Sequence, residues 1–147
     1  MSATRLLKFF KEFSGYHDRS LAPLAAAYDL SMREIHVLLF LANHPEYDTA
    51  RSISEYRGLS KSQVSQAVDF LAEMDLLHRE TDREDRRLIH LSLSPEGRAI
   101  AQQAQSIQLA CTQELLSGMS EEQMAQMRQL WEIVLANGER LAKEKRP

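Results

Sequence analysis

Ser60-Lys61-Ser62-Gln63 opens a segment in which Val64, Ala67, Val68, Leu71 and Met74 recur at three- and four-residue spacing. That period is helical and turns all five apolar residues to one face, which must be buried. Lys61, Ser62, Gln63, Ser65, Gln66 and Asp69 are left on the opposite face. The first turns of that face are small, polar and rich in hydrogen-bonding groups. A glutamine amide can pair bidentately with an adenine edge, and a serine hydroxyl can donate or accept at several bases. Lys61, with Arg57 and Arg51 just upstream, supplies charge that can neutralise backbone phosphates. The same face would serve as the solvated side of any amphipathic helix. The neighbouring elements must decide between the two.

Upstream, a short helix is expected from about Ala50 to Tyr56, with Ile53 as its inward anchor and Gly58 as the turn residue after it. A short helix, a glycine-containing turn and a longer helix running to about Met74 make a helix-turn-helix. Its second helix meets base edges with its N-terminal residues. Downstream, Leu76–Leu93 carries β-compatible arms on either side of a charged centre. In the second arm Leu88, His90 and Ser92 alternate with Ile89, Leu91 and Leu93, the period of a half-buried strand. Asp82–Arg87 is too polar for a core and suits a hairpin tip. Arg83, Arg86 and Arg87 lie there, and arginine is a side chain that a narrow minor groove attracts. Asp82, Glu84 and Asp85 are expected to orient some of these arginines and leave others free.

The positioning elements announce themselves. Ser31-Met-Arg-Glu34, Ser60-Lys-Ser-Gln63 and Ser120-Glu-Glu-Gln123 fit the capping box, and Ser94-Pro95-Glu96 offers an N-cap serine with proline at the first helical position. Leu6, Phe9, Phe10 and Phe13 give an amphipathic first helix that Gly15 interrupts and Pro23 ends or kinks. A second helix is striped by Ile35, Leu38, Leu39 and Ala42. Two long helices, roughly Pro95–Leu116 and Glu121–Lys143, follow the hairpin and break at Ser117-Gly118. Met124, Met127, Leu130, Trp131, Val134 and Leu135 stripe the last of them as a helix-packing surface. The expected fold is mainly α with a small β-hairpin wing. A winged helix-turn-helix occupies 31–94, and helical regions at 1–30 and 95–147 flank it.

Composition narrows the class. The 147 residues are 44% hydrophobic and 27% charged, as in an ordinary globular domain. No apolar run approaches the roughly 20 residues of a membrane span, and charges at Lys8, Lys11 and Glu12 rule out a secretory signal at the N-terminus. The cytoplasm is therefore the expected compartment. The net charge of −3 counts mildly against a nucleic-acid partner, and eight Lys/Arg against nine Asp/Glu between Thr49 and Arg98 do not reverse it. Placement of charge has to carry that case. There is no glycine-rich phosphate loop, nucleophile elbow or evident acid/base pair, so neither an enzyme nor a cofactor is expected. The five histidines show no i,i+3 or i,i+4 pair, and no metal site is expected. Cys111 has no cation within four positions and reads as a buried small hydrophobe.

Residues 59–71 (LSKSQVSQAVDFL), Asp85-Arg86-Arg87 and 91–97 (LSLSPEG), with Leu30-Ser31-Met32 ahead of them, together resemble the MarR family of bacterial transcription regulators. The resemblance extends over nearly the whole chain. It implies a homodimer whose first and last two helices interdigitate, holding two winged helices over successive major grooves of double-stranded DNA. Many members repress, and release DNA when a small phenolic, a metal or an oxidant binds. Position by position it implies base reading by Ser62, Gln63, Ser65 and Gln66, and wing contacts by Arg86 and Arg87. It implies that Asp85 pins a wing arginine, and that an effector pocket draws on Tyr16, His17, Met32, His36 and Phe40. Many relatives carry Arg where this chain has Gln66, which implies a different half-site preference. The competing reading is a winged helix used for protein contact.

Overall fold

The structure, a computed structural model, describes residues 2–144. Met1 and residues 145–147, the outer ends of the two flanking helical regions, lie outside the described residues. The element order is α1 (Ala3–Ala27), α2 (Met32–Asn43), α3 (Ala50–Arg57), α4 (Lys61–Glu73), β1 (Leu77–Thr81), β2 (Ile89–Leu93), α5 (Pro95–Leu115) and α6 (Glu121–Lys143). Residues up to Cys111 form one compact unit and those from Thr112 a second.

Local chemistry sets the helix starts. At Ser31, Ser60 and Ser120 both halves of the capping box are present, so two otherwise orphaned N–H groups are satisfied at each. Thr49 caps α3, accepting from the Ser52 N–H at 3.2 Å. Gly58 closes α3 in the left-handed region at φ 65°, where glycine avoids the Cβ penalty. The first unit has a single apolar core. Ile35, Leu38, Ile53, Val64 and Leu71 from α2, α3 and α4 meet Leu21 from α1, Leu77 from β1, and Ile100 and Ala101 from α5. The flanking helices α1 and α5 thus share the core of the helix-turn-helix.

Two expectations need correction. α1 is unbroken at Gly15, where an interruption was expected, and does not end at Pro23. Leu21, Leu24 and Ala25 are buried around the proline, and their burial outweighs one missing backbone hydrogen bond. Met74, expected in the core, is 50% exposed. α4 stops at Glu73, and Asp75 turns the chain with φ 54°, so Leu76 and Leu77 fill the place instead.

β1 and β2 pair antiparallel in the register Leu77↔Leu93, Arg79↔Leu91 and Thr81↔Ile89. At the base Leu77, Leu91 and Leu93 face the core, while Ile89 near the tip is exposed. The Leu91 N–H donates to the Asp48 carbonyl at 2.7 Å, which ties the loop before α3 to β2. Ser94 begins α5, its hydroxyl accepting from the Gly97 N–H at 3.0 Å.

The second unit contains α6, none of whose residues is buried; Leu130, Ile133, Val134 and Leu141 are each more than half exposed. Among the described residues no helix is long and apolar enough to cross a membrane.

Candidate nucleic-acid interface

α4 buries Val64, Ala67, Val68 and Leu71 and exposes Lys61, Ser62, Ser65, Gln66 and Asp69. Gln63 is half-buried. Its Oε1 accepts from the Ser60 N–H at 2.9 Å, so its carbonyl is committed to the cap. Gln66 Oε1 accepts a long bond, 3.5 Å, from Arg33 of α2. The acid on this face is answered: Arg79 of β1 lies 3.0 Å from Asp69. Arg51 pairs with Glu55 one turn on at 2.8 Å, which raises its pKa, and borders a surface groove with Lys61.

Arg57 stands elsewhere. With His36, Phe40, His44 and Tyr56 it lines a cavity of about 160 Å³. Loss of water lowers the pKa of its guanidinium, and attraction to Asp18 pulls it back up. His36 Nε2 lies 2.8 Å from Asp18 Oδ1. Burial, with the nearby Arg57 charge second, pushes the His36 pKa down, and attraction to Asp18 opposes that shift. Of the five residues expected around an effector, His36 and Phe40 line this cavity. His17 stacks on His36 with ring centroids 6.3 Å apart, Tyr16 packs against Phe13, and Met32 packs at the edge of the core. Cys111 is buried and forms no disulfide.

At the wing tip, Asp82 Oδ1 accepts from the backbone N–H groups of Glu84 and Asp85, both at 2.8 Å. Asp85 Oδ1 accepts from the Arg87 N–H at 3.0 Å and lies 4.0 Å from Arg87 Nε. Arg83 and Arg86 are exposed, with no ion-pair partner among the described residues. The tip is anchored by His90, whose Nδ1 sits 2.9 Å from Asp48 and whose Nε2 sits 3.1 Å from Asp82. Sequence reasoning missed this triad, as it missed Asp18, because each joins residues far apart in the chain.

Both ring nitrogens of His90 face carboxylates, and only the imidazolium carries a proton on each. Hydrogen bonds to Asp48 and then Asp82 accordingly raise its pKa above 6.5. The Asp82 carboxyl is held at about 2, chiefly by the Asp85 N–H, then by His90. A raised histidine pKa adds stability that is complete below 6.5 and lost as pH rises through the folded value. The depressed Asp82 pKa acts only in strong acid. Amide exchange across residues 82–90 should therefore quicken as pH rises from 6 through the His90 titration, beyond the intrinsic base catalysis of exchange. His90→Gln should remove that pH dependence. An identical profile in the variant would rule the triad out as the anchor.

The winged-helix architecture finds close parallels. The sequence model of the MarR family matches residues 28–88. The HTH-type transcriptional regulator TcaR of Staphylococcus aureus (strain Newman) is 24% identical over 131 residues, covering 88% of this chain and 85% of that protein. The crystal structure of transcriptional regulator PA3341 superposes with a TM-score of 0.76 at 27% identity, covering 93% of this chain and 97% of the other. The crystal structure of an S. aureus MepR–DNA complex superposes at 0.68 and 22% identity, covering 92% and 96%. Through helix-turn-helix, wing and flanking helices alike, this chain is similar to transcriptional regulators of the MarR family.

Proposed function

We propose that the protein is a homodimeric transcriptional regulator, a repressor rather than an enzyme, acting in the cytoplasm on a pseudo-palindromic operator in double-stranded DNA. The observation that carries this reading is the exposed polar N-terminal half of α4 on the same winged helix as an arginine-tipped hairpin. Ser62, Ser65 and Gln66 read bases in the major groove, and Gln63 contributes through its amide N–H groups because its carbonyl is engaged. Lys61 and Arg51 meet phosphates, and Arg83, Arg86 and Arg87 reach the minor groove. The solved MepR complex supports DNA as the partner. Dimerisation is supported by α6, whose exposed Leu130, Ile133, Val134 and Leu141 would otherwise form an apolar patch on a monomer. The cavity lined by Arg57, His36 and aromatic rings would receive a small anionic effector.

Charge balance gives the protein-contact reading its one argument, and salt separates the two. A dimer neutralising six or more phosphates loses about a thousandfold in affinity between 50 and 200 mM salt. Fluorescence anisotropy on the duplex enriched from a random pool should show that slope, with half-sites about one helical turn apart. No enrichment of any duplex at low salt would sink the regulator reading and leave protein contact.

A further inference from the structure

Away from the recognition helix and the wing, α1 and α2 bring His36 beside the adjacent residues His17 and Asp18. One donor atom from each lies within 4.8 Å of the others. We propose that these residues form a divalent transition-metal site of the zinc class joining α1 to α2. It is independent of the DNA-binding reading.

The donor chemistry selects the ion. Two imidazoles and one carboxylate suit Zn²⁺, Ni²⁺ or Fe²⁺, whereas Mg²⁺ and Ca²⁺ call for an all-oxygen shell. Three protein ligands leave a fourth position for water, as in open zinc sites.

The geometry is near what binding needs. His36 Nε2 and Asp18 Oδ1 are 2.8 Å apart, and His17 Nδ1 and Asp18 Oδ1 are 3.8 Å apart. Around a tetrahedral ion with bonds of about 2.0–2.1 Å, neighbouring donors stand about 3.3 Å apart. One edge must open by roughly 0.5 Å and another close by as much, a change that side-chain rotation on two fixed helices can supply.

A second observation points the same way. The 3.8 Å separation puts His17 Nδ1 beyond hydrogen-bond reach of Asp18. Its Nε2 is buried with no hydrogen-bond partner among the described residues. A largely buried imidazole with both nitrogens unengaged is unusual, because buried polar atoms are nearly always paired. A metal bond at Nδ1 would engage one of those two nitrogens and leave Nε2 as it stands. Opposing the ion is Arg57, which is drawn to Asp18 and would have to yield its share of the carboxylate.

The test uses full-length protein stripped of metal by chelator dialysis, with no DNA present. Zn²⁺ is titrated in competition with a chromophoric chelator, and Co²⁺ is added separately to read its visible ligand-field bands. One Zn²⁺ per chain is expected, with Co²⁺ bands typical of low coordination number. His17→Gln, Asp18→Asn and His36→Gln should each weaken Zn²⁺ binding at least tenfold and alter the Co²⁺ spectrum. His44→Gln, in the surface pair with Glu46, should leave both unchanged. Melting curves of the metal-free variants identify any that fail to fold, and the remaining variants decide. Absence of stoichiometric binding, or parental binding by the folded variants, would overturn the site.

Discussion

Replacing Arg86 and Arg87 together by alanine is expected to weaken binding to an operator duplex by about a hundredfold, with the melting temperature unchanged. Hydrogen bonds to charged groups are worth about 1.5–3 kcal/mol each, so one well-placed arginine contact per protomer already supplies a hundredfold in a dimer. Stability should not respond, because these side chains do little for the fold. Arg87 is 97% exposed, and its one carboxylate neighbour is 4.0 Å away. Exposed pairs at that distance contribute close to nothing. The tip itself is held by Asp82 and His90, which the substitutions leave in place. Anisotropy titrations at several salt concentrations give a second readout. The slope of log affinity against log salt should become shallower by about one for each phosphate that is no longer neutralised. Affinity equal to the parent at every salt would remove the wing from DNA recognition.

What the sequence disclosed, and what it withheld, follows from the range of the forces involved. Helix starts were legible because a capping box needs only residues i and i+3, and Ser31, Ser60 and Ser120 all carry one. The apolar stripe of α4 was legible for the same reason, down to Leu71. Its end was not: Met74 continues the period, but an aspartate in the left-handed region at Asp75 breaks it. Pro23 does not end α1 because local propensity is overridden by tertiary burial of Leu21, Leu24 and Ala25. The site residues divide likewise. Periodicity identified the exposed face of α4, but Gln63 had two readings, cap and base contact, and only geometry shows its Oε1 in the cap. Arg57 read as a phosphate contact by its nearness to Lys61 in the chain. Its guanidinium instead belongs with His36 and Asp18, residues 21 and 39 positions away. The His90 anchor spans 42 positions to Asp48. Pairings of that range leave no mark on spacing.

The Ser94-Pro95-Glu96-Gly97 turn carries the second large effect. Gly97→Ala is expected to cost about 3 kcal/mol or more, lowering the melting temperature by roughly 10 °C. A Cβ placed on Gly97 would lie 1.9 Å from the Leu76 carbonyl oxygen and 2.9 Å from its carbon. Both are backbone atoms, so no rotamer change relieves the overlap. Leu76 cannot retreat freely, because its oxygen accepts from the Ser94 N–H at 3.1 Å and its own N–H donates to the Leu71 carbonyl at 2.9 Å. Separating the chains by the required roughly 1 Å would lift the start of α5 off the root of β1, against an interior packed to crystal density. The damage should reach the wing, whose base is the Leu77↔Leu93 pair beside this contact. Gly138 in α6 provides the comparison of opposite sign. A methyl group added there would meet nothing within 4 Å, and alanine is preferred to glycine in a helix by about 1 kcal/mol. Gly138→Ala should therefore melt no lower than the parent. Circular dichroism melts of the two variants decide the matter: a Gly97→Ala curve lying on the parental one would mean that α5 does not approach Leu76 this closely.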